Sequence, residues 1–232
     1  MSTLSPAQGP PPEPECVVLL HGIGMRGFVM KRLESALRQD GYRVVNLSYP
    51  SRKMSFEALA GAYLPAQLRQ HDTGRAPRLH FVTHSLGSLL VRYHLHHDRP
   101  ANLGRVVMIG PPNHGSTAAD HAKDSMLLRR FLGENLARLG TGDEAIVRQL
   151  GPADFDLGII AGRSNINPLF TRALGTENDG AVTVQSARLE GMGDFLVVPY
   201  SHTAMLWRRE VVEQTRQFLR TGRFSHPSPS DK

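Results

Sequence analysis

Short apolar runs alternate along this chain with segments in which apolar residues recur at every third or fourth position. The runs are typical of buried parallel strands, and the periodic segments are typical of amphipathic helices. Strands are predicted at residues 16–21, 42–50, 78–84, 104–111, 158–164 and 195–199. Helices are predicted at residues 28–39, 55–70, 86–97 and 204–220, and Pro65 should kink or divide the second. This alternation predicts an α/β fold with a mostly parallel, doubly wound sheet and helices on both faces.

Residues 116–156 interrupt the alternation and are predicted to form a small helical insertion, or lid-like segment, at the rim of the sheet. The first predicted helix there carries an apolar face made of Leu127, Leu128, Phe131, Leu132 and Leu136. Residues 177–189 are predicted to form a turn followed by a short strand or arm. The Pro-rich leader 1–15 and the tail 225–232 are expected to be disordered, which leaves 16–224 as a single domain.

Composition narrows the class of protein. The chain has 232 residues, of which 40% are hydrophobic, and this suits one α/β domain with a full core. Its apolar runs are too short to span a bilayer, and its start lacks a secretory signal, so a cytoplasmic location is the default expectation. Cys16 is the single cysteine, which excludes an internal disulfide. The net charge of +6 is scattered, so we expect no nucleic-acid partner, although it is compatible with transient contact with an anionic lipid surface.

The clearest chemical motif lies where the strand predicted at 78–84 passes directly into a helix. The connection is His84-Ser85-Leu86-Gly87, so the chain must turn sharply at Ser85. This context predicts a nucleophile elbow, usually written G-x-S-x-G, in which a strained turn projects the serine above the sheet. Gly87 lets the helix start close to the strand, whereas Thr83 stands where the pattern has a glycine. The alternative is that Ser85 only caps an ordinary helix.

A serine nucleophile needs a base, a group that orients the base, and donors for the oxyanion. Asp179 follows the strand at 158–164, and His202 follows the last strand. Both therefore lie at carboxyl ends of strands, in the order Ser, Asp, His that this motif requires. The alternatives are, for the base, His114, which precedes the acid, and, for the acid, Glu177 and Asp194.

Backbone N–H groups are the expected oxyanion donors. One belongs to Leu86, directly after the nucleophile. The other belongs to Ile23 in the loop after the first strand, where Gly22 and Gly24 let the backbone approach a substrate. A tight strand–helix turn would also explain these glycines. His84, inside the elbow, is expected to position it, and no G-x-G-x-x-G fingerprint of a dinucleotide site is present.

Five segments together resemble the α/β-hydrolase superfamily: LHGIG, VTHSLGSLLVRYHL, PPNHGS, the Asp179-Gly180 turn and SHTAML. More narrowly, they are similar to compact bacterial lipases and esterases and to the lipase-like part of GPI-inositol deacylases. The likeness covers about residues 16–221 and departs from the family pattern at Thr83 and Ser88.

The resemblance implies an α/β-hydrolase fold and hydrolysis of carboxylic esters through an acyl-enzyme on Ser85. Asp179 and His202 would complete the triad, Ile23 and Leu86 would supply the oxyanion hole, and no metal or cofactor would be needed. The expected partner is a small-molecule ester or a lipid, and segment 116–156 would form one wall of an acyl pocket. The alternatives are an acyltransferase with the same triad and a non-catalytic binding protein of the same fold.

Overall fold

The computed structural model of the protein describes residues 13–123, 126, 130, 133, 135–143, 145–165 and 177–226. Within this part of the chain, six strands form one sheet. They are β1 (Cys16–Leu20), β2 (Arg43–Leu47), β3 (Leu79–His84), β4 (Leu103–Ile109), β5 (Leu157–Gly162) and β6 (Asp194–Val198). Their spatial order is β2-β1-β3-β4-β5-β6, and every neighbouring pair is parallel. The predicted fold class is confirmed.

Helices cover both faces of this sheet. The longer ones are α1 (Lys31–Gln39), α3 (Leu64–Gln70), α4 (Leu86–His97) and α8 (Arg209–Thr221). The shorter ones are α2 (Phe56–Ala58), α5 (Thr117–Lys123), α6 (Asn135–Arg138) and α7 (Val184–Ala187). Single 3-10 turns occupy Gly27–Met30, Thr73–Arg75, Ile146–Gln149 and Ala204–Trp207, and a π-helical turn occupies Leu59–Tyr63. Among the described residues, no helix is both long and apolar enough to cross a bilayer.

The core has two layers, one on each face of the sheet. Val18 and Leu20 of β1 pack in the layer that contains α3 and α4, whereas Val17 and Leu19 pack with α1 and α8. Successive side chains of a strand point to opposite faces, so a strand buried on both faces is expected to be mainly apolar, and a polar side chain in it needs a partner. This explains why β1 is an uninterrupted apolar run, whereas the apolar residues of β3 are interrupted by the buried His80, Thr83 and His84.

Three predicted helices are not uniformly α-helical in the structure. The segment predicted at 28–39 starts as the 3-10 turn Gly27–Met30 before α1, and the one at 204–220 starts as the turn Ala204–Trp207 before α8. In the predicted helix 55–70 the backbone stays helical from 56 to 70 but changes to a π-helical turn at Leu59–Tyr63, and Pro65 lies in the first turn of α3, directly after it. A proline is tolerated there because it has no N–H to donate to the preceding turn.

Two predictions of local structure are wrong. The short strand expected within 177–189 is the helical turn α7, which begins where the Thr183 hydroxyl accepts a hydrogen bond from the N–H of Ser186. The first helix of the insertion does not reach Leu136, because Gly133, with a φ of 80°, precedes the separate helix α6. Leu127, Leu128, Phe131 and Leu132 lie outside the described residues, as do 1–12 and 227–232.

Candidate active site

The direction of chain progression reverses between β1 and β3, because β2 lies outside β1 while β4 to β6 continue beyond β3. Leu20 pairs with Thr83 in register, so the loops that follow these two strands start side by side. They come so close that a Cβ at Gly22 would lie 3.2 Å from the Cβ of Ser85. In open α/β sheets, the crevice at such a reversal is where ligands bind.

Ser85 forms a strained turn between β3 and α4. Its φ of 53° and ψ of −121° lie in a region that residues with a Cβ rarely adopt, at a cost of about 1–3 kcal/mol. The turn is held on both sides: the Ser85 N–H donates to Ile109 O of β4 at 3.1 Å, and its carbonyl accepts from Ser88 N at 2.9 Å. Gly87 allows the close approach of α4 to β1, since a Cβ there would lie 2.8 Å from Leu20 O.

The two departures from the family pattern, Thr83 and Ser88, contact each other. Their hydroxyl oxygens lie 2.8 Å apart, and both residues are fully buried. The sequence showed only that Thr83 would crowd the turn. In the structure, each hydroxyl satisfies the other, which lets a polar pair occupy a position inside the core.

Asp179 and His202 form a hydrogen-bonded pair. His202 Nδ1 lies 2.7 Å from Asp179 Oδ2, and the backbone N–H of His202 donates to Asp179 O at 2.9 Å. Asp179 is buried, and its other oxygen, Oδ1, accepts from the N–H groups of Ala181 and Val182 at 2.9 and 2.7 Å. Because the carboxylate accepts the Nδ1 proton, the second imidazole nitrogen, Nε2, is left free to act as a base.

The end of β5 brings these two side chains together. A Cβ at Gly162 would lie 2.8 Å from the Cβ of Asp179 and 2.4 Å from Tyr200 O, in the loop that follows β6. Any larger residue would push the loops after β5 and β6 apart. The glycine therefore allows the loop that carries Asp179 to pack against the loop that carries His202.

His84, the buried last residue of β3, packs against His202. Its Nε2–H donates to the His202 carbonyl at 3.1 Å, and the two ring centroids are 4.6 Å apart. Burial, followed by the charge of His202, holds the pKa of His84 well below its usual value. His84 is therefore neutral, and it supports the backbone and ring of His202, not the elbow alone as the sequence suggested. Within the described part of the chain, its Nδ1 has no hydrogen-bond partner.

The loop after β1 is oriented by His21, whose role sequence reasoning missed. Its Nδ1–H donates to Gly22 O at 2.8 Å, while its Nε2 accepts from Tyr49 N at 3.2 Å. Burial lowers the pKa of His21, so the ring stays neutral in this arrangement. In a trans peptide the C=O and N–H point in opposite directions, so holding the Gly22 carbonyl also aims the N–H of Ile23. The signal in the sequence was the His21-Gly22 pair itself.

Ser85 and His202 line one cavity of about 280 Å³, together with Ile23 and His84. Most of its remaining lining is apolar, and it comes from the connections that follow β1, β4 and β5, including helices α5 and α6. The described part of segment 116–156 contributes Ser116, Ala118, Ala119, Ala122, Leu136 and Leu139. The rest of the lining is Gly22, Met25, Pro112, Ala181 and Val182. The cavity thus combines a hydroxyl and an imidazole with walls suited to an apolar group.

The structure separates the alternative candidates from this cavity. His114 and Glu177 are exposed. Asp194 is the first residue of β6, at the opposite edge of the sheet, where its carboxylate binds His226. Leu86, the expected second oxyanion donor, is the first residue of α4, next to Ser85. Among the described residues, no group of His, Cys, Asp and Glu side chains is arranged to hold a metal ion.

Comparisons with known proteins agree with this architecture. A family model described as the alpha/beta hydrolase family matches residues 17–221. No curated protein matches the sequence. Among solved structures, the mature Bacillus licheniformis lipase BlEst2 is 21% identical, with a TM-score of 0.70 over 94% of this chain and 96% of that chain.

Two further structures are similar at 14% identity, each with a TM-score of 0.62. The Staphylococcus hyicus lipase aligns over 86% of this chain and 91% of that chain. The esterase RhEst1 from Rhodococcus sp. ECU1013 aligns over 90% of this chain and 91% of that chain. At such identities the likeness shows the fold, and activity has to be argued from the site.

Proposed function

The chain belongs to the alpha/beta hydrolase family, and from this premise we propose that it hydrolyses carboxylic esters as a serine hydrolase of the lipase or carboxylesterase type. One arrangement carries the proposal. A serine in a strained turn shares a cavity with an imidazole, His202, whose other nitrogen is bound by the buried carboxylate of Asp179. A nucleophile, a base and a group that orients the base are the parts that acyl transfer requires.

In the proposed reaction, Ser85 Oγ attacks the ester carbonyl carbon as His202 Nε2 takes the hydroxyl proton. The carbonyl oxygen becomes an oxyanion that accepts hydrogen bonds from the N–H groups of Ile23 and Leu86. The bond from carbon to the alcohol oxygen then breaks, and His202 returns its proton to the leaving alcohol. Water attacks the acyl-enzyme in the same way, with His202 as the base, and releases the acid and free Ser85.

Asp179 would keep His202 in the productive tautomer. Its Oδ1 is occupied by two backbone N–H groups, so Oδ2 remains for the imidazole. A carboxylate held this way stabilises the imidazolium that forms when Ser85 loses its proton. His84 and His21 would act as positioning residues, the first through the backbone of His202 and the second through the Gly22 peptide.

The cavity supports an ester with an apolar acyl chain. Ala118, Ala119 and Ala122 leave room along one wall, and Leu136 and Leu139 supply apolar contacts. Burial of each methylene contributes about 0.8 kcal/mol, so chains longer than acetyl should be favoured as long as the cavity holds them.

The test is covalent labelling by a fluorophosphonate, which reacts with an activated serine. The wild-type protein should gain the mass of one adduct, and Ser85→Ala should gain none. Ser35→Ala, at an exposed serine on α1, is the matched control and should label like the wild type. Labelling of Ser85→Ala, or no labelling of the wild type, would contradict the proposed nucleophile.

Product analysis then separates hydrolysis from acyl transfer. Turnover of a p-nitrophenyl ester in the presence of a simple alcohol should release mainly the free acid. If the acyl group passes mainly to the alcohol, the protein is an acyltransferase that uses the same residues.

A further inference from the structure

Two 3-10 turns present exposed aromatic side chains at the carboxyl edge of the sheet. Phe28, in the turn Gly27–Met30, is 64% exposed, and Trp207, at the end of the turn Ala204–Trp207, is 42% exposed. The two turns contact each other, and their inward residues lie in the same core layer. The side chain of Arg32 also donates a hydrogen bond to Trp207 O, which joins the two segments.

Exposed cations flank both aromatic residues along the chain. Residues 26–32 and 204–209 contain no Asp or Glu, and they carry the exposed cations Arg26, Lys31, Arg32, Arg208 and Arg209. Two carboxylates flank these segments in the sequence. Glu34 is paired with Arg38 and also accepts from Asn46, whereas Glu210 accepts from the Tyr200 hydroxyl and keeps its charge, so the five cations outnumber the one flanking carboxylate that has no cationic partner among the described residues. Since the whole chain has a net charge of only +6, this aromatic–basic patch is a strong local concentration of charge.

We propose that the aromatic–basic patch docks the protein on an anionic lipid surface. Aromatic rings are favoured at the boundary between headgroups and acyl chains, where one side is apolar and the other is wet. Cations beside them gain electrostatic attraction to anionic headgroups. Neither turn is far along the chain from the cavity, because one follows the loop of Ile23 and the other directly follows the loop of His202.

Other occupants of the patch are less favoured by its chemistry. A second copy of this chain, docked patch to patch, would bring two sets of five like charges together, which opposes association. A single-stranded nucleic acid could also pair with cations and aromatic rings. The apolar cavity that the same two loops line favours a lipid, whose acyl chain could enter it.

Trp207 makes the proposal directly measurable, because it is the chain's single tryptophan. The full-length protein is titrated at low salt with vesicles of ether-linked phosphatidylglycerol and phosphatidylcholine, or of ether-linked phosphatidylcholine alone. Ether-linked phospholipids contain no carboxylic ester bond, so binding is read independently of the proposed catalysis. Trp207 emission should shift to the blue, and be quenched by brominated chains, on the anionic vesicles only.

Charge variants test the patch itself. Lys31→Gln with Arg209→Gln removes two exposed cations of the patch and should weaken partitioning by about tenfold or more. The control pair, Arg69→Gln with Arg75→Gln, removes two exposed cations near the amino edge of the sheet. It should change partitioning onto the anionic vesicles by less than about twofold. Phe28→Ala should also weaken binding while keeping the Trp207 signal. All these variants should turn over a water-soluble p-nitrophenyl ester like the wild type.

Four outcomes would overturn the proposal. The first is an unchanged Trp207 spectrum at saturating anionic lipid, and the second is an equal response to phosphatidylcholine alone. The third is that the double variant of the patch and the control double variant weaken vesicle binding equally. The fourth is a Trp207 response to self-association or to a single-stranded oligonucleotide without one to vesicles. Because binding is measured without ester cleavage, Ser85→Ala should bind like the wild type, and loss of hydrolysis leaves this result untouched.

Discussion

The hydroxyl groups of Thr83 and Ser88 lie 2.8 Å apart across the turn that holds Ser85, and both residues are fully buried. Thr83 Oγ1 also lies 3.4 Å from Val107 O of β4. This pair explains how the chain tolerates a threonine two residues before the elbow serine. The side chain that would crowd the turn is instead bonded to the helix that follows it.

A double-mutant cycle should show coupling between these hydroxyls. Thr83→Val keeps the side-chain shape but leaves the Ser88 hydroxyl buried without this partner, so we expect a loss of about 1–3 kcal/mol in unfolding free energy. Ser88→Ala should cost a similar amount for the same reason. The double variant should lose less than the sum of the two, as measured by urea denaturation. Strictly additive losses would show that the two hydroxyls do not stabilise each other.

Backbone strain at Ser85 should be visible in stability. Glycine adopts a φ of 53° readily, whereas alanine carries the same Cβ as serine. Ser85→Gly relieves the strain of the turn, but glycine also gains entropy in the unfolded chain, which offsets part of the relief. The net expectation is that Ser85→Gly is more stable than Ser85→Ala by about 1 kcal/mol. Urea denaturation of both variants measures the difference. If Ser85→Ala proves the more stable of the two, the turn is not strained in solution.

Asp179→Asn should lower the rate of ester hydrolysis by about 10³- to 10⁴-fold with little change in fold. The backbone N–H groups of Ala181 and Val182 require an acceptor at Oδ1, so the amide NH₂ would face His202 Nδ1. The Nδ1–H of His202 needs an acceptor there, but an NH₂ group can only donate. The imidazole would therefore carry its proton on Nε2, which could then no longer act as the base. Glu177→Gln, at an exposed residue of the same loop, is the matched control and should retain activity. A large loss in Glu177→Gln alone would move the acid to that residue.

Acyl-chain preference should follow the cavity wall. Catalytic efficiency with p-nitrophenyl esters should rise from acetate towards octanoate, by up to about fourfold for each methylene that the cavity accommodates. Ala122→Phe would fill part of the cavity and should lower the efficiency with octanoate more than with acetate. Ala62→Phe, at an exposed position in the π-helical turn, should leave the profile unchanged. A profile that falls steadily from acetate in both variants and in the wild type would remove this wall from substrate binding.

Stability should decrease as the pH falls below about 6.5, the ordinary pKa of histidine. Burial lowers the pKa values of His21, His80, His84 and His94, so these rings remain neutral to a lower pH in the folded protein than in the unfolded chain. The unfolded chain takes up protons that the folded chain does not, and each such histidine contributes a slope of up to about 1.4 kcal/mol per pH unit.

Urea denaturation between about pH 7 and pH 5 measures this slope. His94→Gln, at a buried residue that does not line the cavity, should make the slope smaller and leave ester hydrolysis intact. A free energy of unfolding that stays constant over this range would show that the buried rings do not remain neutral.

Local features were readable in the sequence because they depend on neighbouring residues. Apolar runs and three- to four-residue spacings were sufficient to predict the parallel sheet and the order of its strands and helices. The elbow at Ser85 was also visible, since a strand passes into a helix there without a loop. Even the helical turn α7 has a local signal, the capping hydroxyl of Thr183. The prediction of a short strand or arm within 177–189 did not use it.

The pairing of Asp179 with His202 depended on tertiary structure. Chain order favoured His202 over His114, and position at the start of the last strand counted against Asp194, whereas Glu177 shared the order and the loop of Asp179. Neither order nor loop establishes contact. Contact required β5 and β6 to be neighbours in register, and a glycine at the end of β5 to let their loops meet.

The supporting contacts also join residues that are distant along the chain. His84 donates to the carbonyl of His202, and His21 accepts from the backbone of Tyr49. Such contacts form only when the sheet has set the strand order and the register, because side chains on different loops have no periodic relation in the sequence. The sequence by itself therefore determined most of the elements and the sharp turn at Ser85, whereas the packing of the sheet brought Asp179 against His202 and placed His202 on the cavity that Ser85 lines.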